Sequence, residues 1–465
     1  MSESPAGSTN FVVGFNADVV SAIQDRTLER VFHDTMFPRI LYRGEASPEE
    51  WPVNLGANQT FTRAGLIRPT TRPLSQHRDP TPKSWELEQW EVTAEQWGDA
   101  IDTHMPTSYV SLASIYLRNV HNLGLHAGQS LNRVVRDKLF NAYNAGNTNV
   151  STAVGAGGNT VPVRSLNGLT RKLLNGRPQL VSSGNLLEIT VITGGIAQVL
   201  QVTGFTPDFT GDEIHGGTLT ISGTHAGVNV GDPVVAENAS EVVRSGGGLS
   251  VDDITSADTF KLADIRAAVS QMRTNNVPTH DDGTYHCHLD PTSESQIFGD
   301  AVFNQLNTSI PDFVHYREFA LAFLLGTTFY RNTEAPVVAT VDQDPEFGFT
   351  FAPPLTNTPL VGDAVPIHRP IFTGQGSIEE KYLDESKYIS EAGTVGKIGE
   401  FSVTNNGVQV MTDRVRLILR APQDRLQQLT SAAWSWSGGF AIPTDAMAKT
   451  SSADFKRAVL IEHGA

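Results

Sequence analysis

The chain has 465 residues and a net charge of −16, a balance that DNA and anionic membranes repel and that excludes a direct electrostatic grip on either. One cysteine excludes an internal disulfide, and no apolar stretch is long enough to span a bilayer. Charged residues are only 18%, while 41 glycines and 25 prolines point to many turns in a chain long enough for several domains.

The start, MSESPAGSTNF, lacks a basic segment followed by an apolar run. No secretion signal is expected, and the chain is expected to fold in a reducing cytoplasm. Val19, Ala22, Ile23, Val31 and Phe32 suit a short amphipathic helix. Trp51 to His104 is a different text. Pro69, Pro73, Pro80 and Pro82 break any helix, and Arg63, Arg68, Arg72, Arg78 and Lys83 make the stretch locally basic. Its second half, WELEQWEVTAEQW, alternates as a strand. Trp85 and Leu87 share one face; Trp90, Val92 and Ala94 share one after a one-residue slip, as a bulge would produce. The pattern predicts a long two-stranded arm. A strand pair of that length buries little within one chain, so it is expected to lie on a neighbour.

Val110, Ala113, Leu117, Val120, Gly124, Ala127, Leu131 and Val134 recur at spacings of three and four and predict a helix over 107–144. Pro106 suits its first turn, and about 1.5 Å per residue gives a length of roughly 55 Å. Gly124 and Gly128 predict a bend or a close backbone contact. Residues 145–165 are small, polar and glycine-rich, as in a linker. The period then changes to two. LLEITVI and GIAQVLQV flank Gly194-Gly195, a hairpin turn, and GTLTISG and NVGDPVVAENA continue the pattern. The segment closes with SGGG at 245–248, which suggests a small all-β module inserted into a larger domain.

Thr255 and Asp258 are spaced as a capping box before Leu262, Ile265, Val269 and Met272, which form one helix face. Asp290-Pro291 reads as a second helix start, with an apolar side of Ile297, Phe298, Val302, Phe303 and Leu306. FALAFLLG at 319–326 reads as a buried element ended by glycine, and RVRLILRA and RAVLIE as closing strands. The class is α+β.

Residues 280–291, HDDGTYHCHLDP, gather three histidines and the cysteine. In a strand, Tyr285, Cys287 and Leu289 face one way and His286 and His288 the other. Cys287 then cannot share a metal with the histidines. A zinc site needs three or four convergent ligands, so His280 or Asp282 would have to fold back across Gly283. The expectation is a central strand with Tyr285, Cys287 and Leu289 in the core and the histidines packed against neighbouring elements. HExxH, GxSxG, a Walker A loop and a GxGxxG leading into a helix are all missing. VDQDPEFG at 341–348 departs from a calcium loop, because its glycine is displaced and Pro353 stands where the bidentate glutamate belongs.

The order of these parts, with YHCHLDPTSESQIFGDAVF at 285–303, LLGTTFYRNTEAP at 324–336 and SWSGGFAIPTDA at 435–446, resembles the major capsid proteins of tailed bacteriophages. It resembles in particular the coat subfamily with the Hong Kong 97-type fold and an inserted domain; NGLTRKLLNGRP at 167–178 and KYISEAG at 387–393 add to the likeness. The resemblance implies an N-terminal arm at 1–56, an extended β-hairpin E-loop at 57–104 and a peripheral domain with a spine helix at 105–159. It implies an inserted β domain at 160–252, a mainly axial domain at 253–400, and strands at 401–465 returning to the peripheral and axial domains. It implies hexamers and pentamers that close an icosahedral shell around double-stranded DNA, without sequence-specific binding. Scaffolding, portal and decoration proteins are the other implied partners. No catalysis, cofactor or metal comes with the family, and the implied location is the virion capsid, assembled in the host cytoplasm. Arg63, Arg68, Arg72, Arg78, Lys83, Trp85 and Trp90 are the implied inter-subunit contacts of the arm. Two other readings stay open: an encapsulin-type nanocompartment shell, and a metal-dependent enzyme using the His280–His288 region.

Overall fold

A computed structural model of the chain describes residues 27–36, 41–52, 56–64, 87–110, 115–174, 177–210, 213–237, 239–308, 323–336, 365–383, 396–398, 401–404, 407–412, 414–420, 425–426, 428–443 and 457–464, with isolated positions between 70 and 82. Helices and strands are mixed, as an α+β chain requires. The chain divides into two units. One takes residues 1–59, 92–135 and 379–441; the other takes 60–91, 136–378 and 442–465.

The first unit holds an eight-stranded sheet. Its strands run in the order Ala46–Glu50, Ile378–Tyr382, Leu429–Ala441, Val415–Arg420, Gly407–Thr412, Phe401–Thr404 and Gly396–Ile398, and Glu95–His104 also pairs with Leu429–Ala441. Leu429–Ala441 is long enough to serve three partners. Its inward residues Ala432, Trp434 and Trp436 alternate, and they are buried with Val415, Leu417 and Leu419. Arg43 and Glu380 close a buried ion pair at 2.5 Å, and Arg414 adds a second cation at 3.0 Å.

The helix expected over 107–144 is present as Met105–Val110 and Ile115–Tyr143, with 111–114 outside the described residues. Val120, Leu123, Ala127, Leu131 and Val134 are buried on its inner face. Val110 is 88% exposed, so the apolar stripe does not reach the start of the segment. Gly124 makes a close backbone contact, as its position predicts. A β-carbon there would collide with Thr35 Oγ1 and meet the Phe32 carbonyl at 2.7 Å, on the helix Thr27–Met36.

The second unit holds two larger sheets. The first is ordered Asn147–Asn149, Pro233–Ala236, Leu187–Thr193, Ile196–Thr210, Glu213–Ile221, Thr160–Val163. Val150 bridges Val163, and Arg164 N donates to Asn149 O at 3.0 Å, so the first and last strands meet and the sheet closes on itself. Leu187, Ile189 and Val191 point inward with Leu200, Val202, Leu219 and Val234. The hairpin at Gly194-Gly195 forms as expected, both glycines at positive φ and Ile196 opposite Thr193. The module's expected start at 160 is too late. Asn147–Asn149 lies in the stretch read as linker, because its polar residues carry no apolar alternation, yet it pairs with Pro233–Ala236.

The second sheet is ordered Val242–Arg244, Ala458–Gly464, Ile371–Thr373, Tyr285–Leu289, Thr327–Arg331, Phe323–Leu324, with Ile367–His368 also on Ala458–Gly464. Tyr285–Leu289 is central, parallel to one neighbour and antiparallel to the other. Tyr285, Cys287 and Leu289 enter a core with Phe329, Phe372, Val459 and Ile461, covered by Ile265 and Met272 of the helix Leu262–Thr274 and Ile297 of the helix Pro291–Gly299.

Two expected elements are corrected. Thr255 and Asp258 do not start a helix. Asp258 accepts from Thr255 N and Oγ1 in a tight turn, and the helix begins at Leu262, with Asp264 accepting from Lys261 N at 2.9 Å. Of the segment 319–326, only 323–326 lies within the described residues, and Phe323 there is 53% exposed rather than buried.

Candidate functional site

The arm is a two-stranded ribbon of Asn58–Ala64 and Leu87–Thr93 that pairs with no other strand among the described residues. Phe61 and Trp90 stack across it, centroids 5.8 Å apart and 10° from parallel. Gln89 Nε2 donates to Thr62 Oγ1 at 3.3 Å. Trp90 and Val92 are buried, and Thr60, Thr62, Glu91 and Thr93 are exposed, so the ribbon has an apolar and a polar face. The expected strand running on to 104 is corrected. From Glu95 the chain leaves the ribbon and pairs along Leu429–Gly438, because Ala94 sits where the alternation breaks. Arg63 lies in the first strand of the ribbon; Arg68, Arg72, Arg78, Lys83 and Trp85 lie outside the described residues, as does 341–348.

The histidine stretch does fold back on itself. Gly283 takes φ 77°, Gly283 N donates to His280 O, and the rings of His280 and His286 stack 3.9 Å apart, 8° from parallel. His286 Nε2 lies 3.1 Å from Asp282 Oδ2, while His280 Nε2 faces Thr373 O at 3.2 Å. Burial raises the Asp282 pKa, but Thr284 and His286 together outweigh it and hold the carboxyl at about 2. His288 is buried and stacks on Tyr330 at 5.6 Å. The histidines therefore pack and hydrogen-bond as a central strand predicts, with His286 and His288 on one face of it, both against Tyr330.

Sequence reading missed a buried Asp–Ser–His group among the described residues. Asp290 caps the helix Pro291–Gly299, accepting from Thr292 N at 3.0 Å and Ser293 N at 3.2 Å. Ser293 Oγ touches Asp290 Oδ1 and lies 2.6 Å from His463 Nε2. His368 Nδ1 stands 2.8 Å from Asp290 Oδ2, off the line of a straight hydrogen bond. Burial raises the Asp290 pKa, yet His368 and Ser293 outweigh it and bring the carboxyl to about 2. The residue types are those of a serine hydrolase, but the order is not. A nucleophilic serine needs a histidine whose Nδ1 is held by the acid. Here the acid holds the serine, and His463 Nδ1 faces Gly464 O at 3.0 Å. Ser293 and His463 are wholly buried, so no substrate reaches the hydroxyl. The group joins a helix start to the strand Ala458–Gly464.

Beside it, Glu462 accepts from Arg369 at 2.8 Å and Arg244 at 2.9 Å. Burial opposes its ionisation, but the two guanidiniums outweigh burial and hold its pKa below the ordinary value. One strand thus carries two buried polar anchors. No local pattern in RAVLIEHG signals either, because their partners are far away in the chain.

No family model matches the sequence, and no curated protein does. Solved chains that resemble this one over about nine-tenths of its length come from phage capsids. The capsid of Ralstonia phage GP4 aligns over 90% of this chain and 87% of its own, with 12% identity and a TM-score of 0.44. The acidic stable capsid of Helicobacter pylori bacteriophage KHP30 aligns over 90% and 88%, with 9% identity and a TM-score of 0.48. The capsid of cyanophage P-SCSP1u aligns over 91% and 88%, with 11% identity and a TM-score of 0.46.

Proposed function

We propose that the chain is a phage major capsid protein, a structural subunit that assembles through hexamers and pentamers into an icosahedral shell around double-stranded DNA. One observation carries the reading: the ribbon Asn58–Ala64/Leu87–Thr93, a two-stranded sheet with one apolar face. A ribbon of two strands is marginal in water and gains stability by lying on another surface. A second copy of the chain is the natural surface, because the stretch 57–86 has five cations, Arg63, Arg68, Arg72, Arg78 and Lys83, against Asp79 and Glu86, within a chain of net charge −16. Opposite charge steers and registers such contacts. In this reading the ribbon is the E-loop, Trp85 and Trp90 add apolar contact, the helix Ile115–Tyr143 is the spine, and the closed six-stranded sheet is the inserted domain. An acidic wall also suits a container that must not hold its DNA tightly. Scaffolding, portal and decoration proteins are its partners in assembly, and the virion is its location.

The test is electron microscopy and sedimentation of the purified chain, with and without a scaffolding protein. Closed shells, or rings of five and six, are expected. Replacing residues 65–86 by a two-residue Asn-Gly turn should abolish them and leave a folded monomer. Shells that form as well without these residues would sink the proposal.

A further inference from the structure

Three polar contacts run in a row through the second unit: Asp290 Oδ1 to Ser293 Oγ, Ser293 Oγ to His463 Nε2 at 2.6 Å, and His463 Nδ1 to Gly464 O at 3.0 Å. Each contact needs a proton between its two atoms. Serine brings one and a neutral imidazole brings one. With Asp290 ionised, the row is one proton short. A third proton completes the contacts and turns His463 into a buried imidazolium.

The surroundings decide whether that proton is welcome. His463 is wholly shut from solvent, between the rings of Phe260 at 5.3 Å and His368 at 5.4 Å. From the helix Pro291–Gly299, it faces Ser293 with Asp290 behind, and Gln296 Nε2 donates to Gly464 O at 3.0 Å. Glu294 on that helix is taken by Arg331. From Ile367–His368 and the residue after it come His368 and Arg369, and the latter is taken by Glu462. From Val242–Arg244 comes Arg244, also on Glu462, and ahead of Leu262–Thr274 the Asp258 carboxylate caps Thr255. Among the described residues, Asp290 is thus the carboxylate on this row, and it reaches His463 only through a serine.

We propose that the row Asp290–Ser293–His463 is a proton-binding site, and that filling it destabilises the fold, because the imidazolium it creates is sealed from water and meets its carboxylate only through a serine. The unit that contains them is then labile to mild acid. Burial lowers the His463 pKa to about 4 from an ordinary value of 6.5. The sign follows from linkage. The unfolded chain takes the proton as pH falls through 6.5, and the folded chain refuses it until near 4. Stability from this site is complete above about 6.5, is lost as pH falls toward 4, and has no further to fall below that.

The experiment follows hydrogen exchange at the imidazole C2 positions of the full-length chain by mass spectrometry from pH 4 to 8. Thermal and denaturant unfolding of wild type, His463→Gln and Ser293→Ala run in parallel. At pH 5.5 an ordinary histidine is about nine-tenths protonated, and His463 should be under about one-tenth. Between pH 6 and 4.5 the wild-type folding constant should carry a contribution of about tenfold per pH unit that His463→Gln lacks. A His463 titrating near 6.5 in the folded chain overturns the proposal, as do equal pH slopes in wild type and variant. Where His463→Gln does not fold, the wild-type exchange curve decides alone.

Discussion

Arg369 Nη2 stands 2.8 Å from Glu462 Oε1, and the carboxylate is fully sealed from water. A second cation, Arg244, holds the other oxygen. Glu462→Gln keeps the shape and removes the charge, leaving two guanidiniums short of a partner. Breaking a buried pair in this way costs about 3–5 kcal/mol. The denaturant midpoint of the full chain should fall accordingly. A midpoint within error of wild type would show that water reaches this cluster. The pH sign is that of a depressed carboxylate: Glu462 stabilises the fold above its ordinary range and ceases to as pH falls below it.

Gly124→Ala sets two known effects against each other. In an open helix the change gains about 1 kcal/mol. Here the new methyl meets Thr35 Oγ1 and the Phe32 carbonyl, and overpacking of that kind costs about 1–3 kcal/mol. The variant should melt below wild type. A higher melting temperature would mean that the two helices separate easily at this point.

The six-stranded module should fold by itself. A fragment of residues 145–240 contains every strand of the closed sheet and should melt cooperatively with a β-rich circular dichroism spectrum. A fragment of 160–252 lacks Asn147–Asn149 and Val150, reopens the sheet between Pro233–Ala236 and Thr160–Val163, and should melt at lower temperature or not fold. Equal melting of the two fragments would contradict the closure.

His288→Ala and His286→Ala should differ. His288 is buried against Tyr330, so its loss leaves a cavity worth about 2 kcal/mol or more. His286 stacks on His280 at a part-exposed position, and its loss should cost less. Chemical denaturation of the two single variants ranks them; the reverse order would show that the His280–His286 stack, and not the buried His288–Tyr330 contact, holds this face of the strand.

What could be read in advance was what neighbours in sequence decide. The Gly194-Gly195 turn, the Asp290-Pro291 helix start and the inward set Tyr285, Cys287 and Leu289 each rest on a few adjacent residues. The same local signal misled at Thr255 and Asp258, since a hydroxyl and a carboxylate three apart close a turn as readily as they cap a helix. Ser293 and His463 are 170 residues apart, and Arg43 and Glu380 are 337 apart. Such pairings depend on which strands become neighbours, and periodicity is blind to that. Asn147–Asn149 escaped because a strand can be recruited by a partner's edge without an apolar pattern of its own. The strand Leu87–Thr93 was visible by its alternation, whereas the change of partner at Glu95 was not.

The closed sheet of the module has a practical corollary. A sheet joined end to end offers no bare ladder for a foreign strand to extend. Its turn at Gly194-Gly195 hangs from two strands that are each paired on their far sides as well, and neither glycine has a heavy atom within 4 Å of where a side chain would begin. A guest peptide spliced between these glycines would strain nothing beneath it, which makes this tip a ready attachment point for displaying an epitope or an affinity tag.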